Sequence, residues 1–228
     1  MNSNPQQFSP EELHQINAAV LTAESTTSAE IVPVIASRSG NYDRVEDLFG
    51  VFTGSVSACI AAYLWPVMNI SENSGYWGYS PSLLFTIRLL LAFYGGFIFG
   101  AVVCSRFNSL LRLLAPDALM RAEVHQRAQS VFMDQRIHHT SRRSGILIYL
   151  SLAEHIAVVL PDQNMETVMA RETAEDICRQ LTREIRTHGV IPALDRTIRL
   201  TGEKLAAAFP AIETSENELP NALVVLDS

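Results

Sequence analysis

Two stretches of this chain leave it little choice of surroundings. From Leu48 to Met68 it runs 21 residues without a charge, and from Leu83 to Ser105 it runs 23 residues interrupted only by Arg88. At about 1.5 Å per residue each stretch, as a helix, is long enough to cross a hydrocarbon core about 30 Å thick. The rest of the chain is too short to wrap two helices that are apolar all round inside a soluble core. The reading is therefore a transmembrane hairpin, with spans at about 48–68 and 83–105 and a loop at 69–82. Composition agrees, since only 18% of the 228 residues are charged and mean hydropathy is +0.14. An ordinary soluble domain is about 25% charged.

The flanks of the two spans give an orientation. Trp65 sits at the end of the first span, and Tyr76, Trp77 and Tyr79 lie in the loop, where amphipathic aromatics mark a membrane interface. Arg88 falls early in the second span, and its stem is long enough to snorkel back to that interface. The loop holds no Lys or Arg, whereas Arg38 and Arg44 precede the first span and Arg106 and Arg112 follow the second. By the positive-inside rule both termini belong in the cytoplasm and the loop outside. The first 47 residues are polar and show no charged-then-apolar leader, so no cleaved signal is expected. Gly50, Gly54, Ala58 and Ala62 recur every fourth residue, as do Gly96 and Gly100, which allows close backbone approach within the hairpin.

The net charge of −7 is unevenly spread: −5 over 1–47, zero over 48–105, +2 over 106–162 and −4 over 163–228. Nucleic acid is excluded as a partner, because binding phosphates needs a dense Lys/Arg face. Cys59, Cys104 and Cys178 show no CxxC spacing and read as small buried hydrophobes rather than as a disulfide framework or a zinc site.

The cytoplasmic remainder reads as one α/β domain in three pieces: a first helix and strand in 1–47, the rest of the domain in 106–210, and an acidic tail at 211–228. Ser9-Pro10-Glu11-Glu12 is a capping box with Pro at the first helical position, Phe8 and Leu13 are placed as a hydrophobic staple, and a helix from Pro10 to about Ala23 follows. Glu30 to Ala36 is apolar on both faces, as a strand covered by helices is, and Pro33 points to an edge or a bulge. Pro116 and Asp117 open a helix to about Arg136 with Val124, Ala128, Val131 and Phe132 inward. Gly145–Leu152 and His155–Leu160 read as strands joined by a tight hairpin at Ala153-Glu154. Helices at about Asn164–His188 and Pro192–Ala208 complete the domain, with Gly189 between them. The patch Ala222–Leu226 reads either as a docking strand or as unstructured tail. The fold class is α/β: a small mixed sheet flanked by helices, with the membrane hairpin spliced into the crossover between its first two strands.

Several stretches carry a family resemblance. Thr26-Thr27-Ser28-Ala29-Glu30-Ile31-Val32, the run Phe132–Thr140, and Ser144-Gly145-Ile146-Leu147-Ile148-Tyr149-Leu150-Ser151-Leu152-Ala153-Glu154-His155 followed by Pro161-Asp162 resemble the TPM domain. The likeness is to its bacterial membrane-protein branch, with an inserted two-helix hairpin, and runs to about residue 210. It implies a compact β-α-β-β-α domain, linked in other branches to photosystem repair, receptor association and weak calcium-containing acid phosphatases. Branches with proposed metal sites carry Asp-Asn-Gly before the second strand and a Gly-rich Leu-Glu loop after the third. Here those places hold Arg143-Ser144-Gly145 and Asp162-Gln163-Asn164-Met165.

Sheet geometry nominates two rims. The amino ends of the first two strands and the carboxyl end of the third gather Glu30, Thr140, Arg142, Arg143 and Asp162. Glu30 and Asp162 are the candidate ligands for calcium or another divalent cation, and Thr140, Arg142 and Arg143 are the candidate anion or ligand rim. The same set also reads as a surface ion-pair cluster. The opposite rim, with Arg38, Asp43, Glu154 and His155, is where switch-point ligands favour binding and where lipid headgroups are expected. His138-His139 could ligate a metal with His125 or Asp134, and equally reads as a solvated helix end. No Gly-x-Ser-x-Gly, P-loop, HExxH or catalytic-cysteine signature is present. The expected function is a non-enzymatic interaction or scaffolding module on the cytoplasmic face of a bacterial inner membrane, without a cofactor. Its expected partners are the bilayer and another membrane or envelope protein. A metal-assisted phosphatase is the rival reading, and a headgroup-sensing module a third.

Overall fold

The computed structural model describes residues 8–40, 42–68, 83–107, 114–140, 142–211, 219 and 222–226. The loop aromatics, Arg112 and most of the acidic tail lie outside the described residues, as do the side chains of Asp43, Arg44 and Trp65. The chain divides into two compact units, one made of 1–40 with 117–228 and the other of 41–116.

The first unit is built on helix α1 (Pro10–Glu24), strand β1 (Glu30–Ala36), helix α4 (Asp117–Asp134), strands β2 (Gly145–Ser151) and β3 (Ile156–Pro161), helices α5 (Arg171–His188) and α6 (Val190–Ala208), and strand β4 (Val224–Leu226). The capping box forms as the spacing requires: the Ser9 hydroxyl accepts the Glu12 amide at 3.2 Å, and Glu12 Oε2 accepts the Ser9 amide at 2.8 Å. Among the described residues the strands form one sheet in the order β3-β2-β1-β4. β1 is parallel to both β2 and β4, and β3 is antiparallel to β2. Alternate residues face opposite layers. Ile31, Ile35, Ile146, Ile148, Leu150, Ala157 and Val159 face a core with α1, α5 and α6. Val32, Val34, Ala36, Leu147 and Tyr149 face α4 through Val124, Ala128, Val131 and Phe132.

Pro33 sits in a central strand rather than at an edge, and the alternation of backbone groups explains how. The Glu30 amide donates toward β2, to the Ser144 carbonyl at 3.2 Å, whereas Ile31 and Ser37 donate to the other side, to Glu24 and to the Leu226 carbonyl. Pro33 shares that second side, and β4 pairs only with Val34–Ala36. Its missing N–H therefore faces a stretch with no neighbouring strand.

Two sequence expectations are corrected here, and one left open, the tail patch, resolves to its docking-strand alternative. The β2–β3 hairpin closes at the pair Ser151–Ile156, so the loop is Leu152–His155 rather than two residues, with His155 left-handed at φ 56°. The helix expected from Asn164 begins at Arg171: Asp162 instead caps a 3-10 turn at Gln163–Met165, and Met165 and Met169, whose spacing mimics a helix, are both buried from this turn segment. The apolar tail patch docks as β4, helped by Asn17, whose Oδ1 accepts the Leu223 amide at 3.1 Å.

The second unit pairs helix α2 (Asp43–Met68) with helix α3 (Leu83–Arg106). Stretches of both, Val45–Leu64 and Phe85–Arg106, are long and apolar enough to cross a membrane, and their apolar side chains are largely exposed. The helices run antiparallel, since Gly50 lies against Phe97 and Gly54 against Phe93. The small-residue stripes are used inside the hairpin. A Cβ on Gly100 would overlap Thr53 Oγ1, and that hydroxyl donates across the interface to the Gly96 carbonyl at 2.9 Å. Cys59 is exposed on α2, contrary to the buried reading.

Candidate functional site

At the amino-end rim, register fixes where the two nominated carboxylates stand. Glu30 pairs with Gly145, and the Asp162 amide donates to the Gly145 carbonyl at 2.9 Å. The three residues form one row across β1, β2 and the end of β3, with side chains on the α4 face. Two strand spacings separate the Cα atoms of Glu30 and Asp162 by about 10 Å. The space over Gly145 is filled: a Cβ there would meet Ile137 Cγ2 at 2.4 Å and the Ile137 carbonyl oxygen at 2.6 Å. Ile137, fully buried in a 3-10 turn (Ile137–His139), thus stands in the row between the two carboxylates.

Thr140, Arg142 and Arg143 build a turn rather than an open cleft. Thr140 is buried, its hydroxyl accepting the Ser144 amide at 3.1 Å and its carbonyl the Arg143 amide at 2.9 Å. Arg143, left-handed at φ 49°, donates from its guanidinium to Gln163 Oε1 at 2.6 Å. The Arg142 carbonyl accepts Asn164 Nδ2 at 2.7 Å. These contacts tie the turn before β2 to the turn after β3. Asp162 is buried, and its Oδ1 accepts the Gln163 amide at 2.7 Å. Its Oδ2 is buried without a hydrogen-bond partner.

A further carboxylate at this rim, Glu24, was not singled out from sequence. Its Oε1 accepts the Ile31 amide at 2.8 Å. Burial, reinforced by the neighbouring Glu30 charge and opposed by the Ile31 hydrogen bond, pushes its pKa up to about 8. The signal available was positional: an acid in the last turn of a helix faces the negative end of the macrodipole, and α1 has no basic residue there.

The opposite rim differs from expectation. Glu154 does not face outward but is 3% exposed, its Oε1 accepting the amides of Ser39 (3.1 Å) and Gly40 (3.2 Å) and its Oε2 the Ser151 hydroxyl. The Ser39 hydroxyl also bonds Ser151 at 2.6 Å and the Tyr149 hydroxyl at 2.8 Å. Burial, partly offset by the Ser39 hydrogen bond, raises the Tyr149 pKa. This network locks the chain where it leaves β1. Arg38 is half-buried and donates from Nε to the Gly40 carbonyl, while His155 is exposed. His138 stacks on Phe132 with centroids 6.3 Å apart and meets His139 edge-on, and His125 bonds Gln129. Among the described residues, no three His, Cys, Asp or Glu side chains converge as a metal cluster.

Fold and rims together define an α/β protein with a four-stranded mixed sheet flanked by helices and a pair of apolar helices inserted in its crossover. No protein-family model and no curated protein sequence matches the chain. The chain is similar in fold to the NMR structure of the BA42 protein from the psychrophilic bacterium Bizionia argentinensis, with TM-score 0.58, 16% sequence identity, and coverage of 99% of this chain and 100% of that one.

Proposed function

We propose that the chain is a TPM-like domain anchored in a bacterial inner membrane by its hairpin, with both termini cytoplasmic, and that it serves as an interaction or scaffolding module of the envelope. The observation that carries this reading is the place of the hairpin. In the sequence, two apolar helices of membrane-spanning length separate strands β1 and β2, which pair directly in the sheet. The Thr26–Val32 and Ser144–His155 stretches support the family reading, and the likeness to BA42 supports the fold that goes with it. Among the described residues both rims are turns held by their own hydrogen bonds, as a structural module requires.

The anchoring is tested by alkaline carbonate extraction, which should leave the protein in the membrane fraction; release as a soluble species overturns the reading. Orientation is tested in a background with Cys59, Cys104 and Cys178 replaced by serine. A cysteine at Ser74 should label from outside intact cells and one at Ser215 should not.

A second reading, a divalent cation at the amino-end rim with phosphatase chemistry, has one observation in its favour, the unpartnered Oδ2 of Asp162. Calcium takes six to eight oxygen ligands, and a shared Glu30–Asp162 site has Ile137 in its middle, so the residues fit that ion poorly. Millimolar calcium is expected to leave the melting temperature unchanged. A rise of several degrees that Asp162→Asn abolishes, with hydrolysis of a generic phosphomonoester, replaces the interaction reading with the enzyme.

A further inference from the structure

β3 ends the sheet, and its outer edge is open. Because Asp162 and Gly145 are directly bonded, the alternation of an antiparallel ladder turns Ile156, Val158 and Leu160 toward β2 and leaves the backbone of Ala157, Val159 and Pro161 facing outward. The Val159 amide lies beside the Cys178 thiol. Among the described residues, the Ala157 amide and the carbonyls of Ala157 and Pro161 have no partner. A groove of about 1080 Å³ runs along this edge between α4 and α5. On the α4 side its floor is Ile156, Val158 and Leu160, each only half-buried.

We infer that this edge receives an extended segment of a separate protein, which adds a fifth strand to the sheet and directs a carboxylate on alternate residues toward Arg121. This deepens the interaction-module reading and rests on it. Extended backbone is the geometric complement of an edge of outward carbonyls and an amide, and the groove then reads alternate side chains. The charge follows from α4: its charged or titratable contributions to the groove are Arg121 and His125, with no carboxylate. Arg121 is exposed and makes no ion pair among the described residues. On the α5 side, by contrast, Arg171 and Arg179 are held by Glu175 and Asp176, and the turn before α5 adds the carboxylate of Glu166 to the groove, so the positive side is that of α4. A second copy of this chain fits poorly. Antiparallel pairing of two β3 edges about Val159 sets Pro161 against Ala157, losing a hydrogen bond at each end, and adds a second Arg121 to the same seam.

The test uses the full chain in detergent micelles and fluorescence anisotropy of labelled eight-residue peptides. A peptide of alternating valine and glutamate should bind saturably, at least tenfold more tightly than its valine–lysine counterpart or a version N-methylated at alternate amides. Arg121→Glu, an exposed change that leaves the fold intact, should reverse the charge preference. Ala157→Pro, at an outward edge position like that of Pro161, should weaken binding at least tenfold. The inference is overturned by absence of saturable binding, by binding indifferent to both N-methylation and Arg121→Glu, or by a dimer that Ala157→Pro dissociates. The two readings fail separately. A carbonate-resistant chain that binds no peptide loses the groove and keeps the anchored module, whereas carbonate release removes the anchor whatever the peptides do.

Discussion

Replacing Glu24 by glutamine should stabilise the protein progressively as pH rises from about 4.5 to 8, and not below. In the folded chain the Glu24 pKa is pushed from 4.5 up to about 8, chiefly by burial. The folded state thus holds a proton that the unfolded chain releases above about pH 4.5. The associated stability is fully present below that pH and is lost as pH rises through 8. At about 1.4 kcal/mol for each tenfold change in proton affinity the ceiling is ~5 kcal/mol, and partial access of solvent brings the working figure to about 2–3 kcal/mol. Glutamine keeps the oxygen that accepts the Ile31 amide and removes both the charge and its repulsion with Glu30. Urea unfolding of the full chain in detergent, followed by circular dichroism, should give nearly equal stabilities for wild type and Glu24→Gln at pH 5. At pH 9 the variant should lead by about 2–3 kcal/mol. A difference constant between pH 5 and pH 9, or a variant less stable than wild type at pH 9, refutes the argument.

Glu154→Ala strips the acceptor from the Ser39 and Gly40 amides and the Ser151 hydroxyl. It should cost about 2–4 kcal/mol in denaturant unfolding and speed amide exchange at Ser39 and Gly40. Asp162→Asn retains an oxygen able to cap the following turn and should cost about 0–1 kcal/mol in the same assay. Gly100→Leu places a side chain where Thr53 already stands, so the hairpin should splay, seen as a longer, broader distance between spin labels at the exposed Ile60 and Ile87 by pulsed electron resonance.

Local chemistry made some elements readable and long-range pairing hid others. The capping box of α1 and the inward stripe of α4 are written within a few residues of each other, and both form. β1 was visible because burial on both faces leaves a continuous apolar run, yet Pro33 misdirected its placement. The proline sits safely in the middle only because β4 covers just half the strand, a fact that belongs to the distant end of the chain. β4 itself is three residues long and could not be told from tail without its partner. At the amino-end rim the strands brought Glu30 and Asp162 into one row as expected, but Ile137 between them follows from a close approach over Gly145 that carries no periodic signal. Glu154 looked like an exposed rim acid because nothing in its neighbourhood announces that the Ser39–Gly40 amides will need an acceptor.

The strand order has a consequence for how the protein is made. Glu30 pairs with Gly145, 115 positions later, and Val34 with Val224, 190 positions later. At about 5–20 residues per second a ribosome takes roughly 6–23 s to travel from the first strand to its first neighbour. During that interval the whole apolar hairpin emerges, while β1 has no strand to pair with. The antiparallel pairing of α2 and α3 then brings the two ends of this insertion back toward one another, shortening the span that remains to be closed before the sheet can form. On the proposed membrane-anchored reading, insertion of the hairpin is an early step of assembling the sheet, and a ribosome that stalls within α3 would leave the apolar run Ile31–Ala36 with neither of its neighbouring strands.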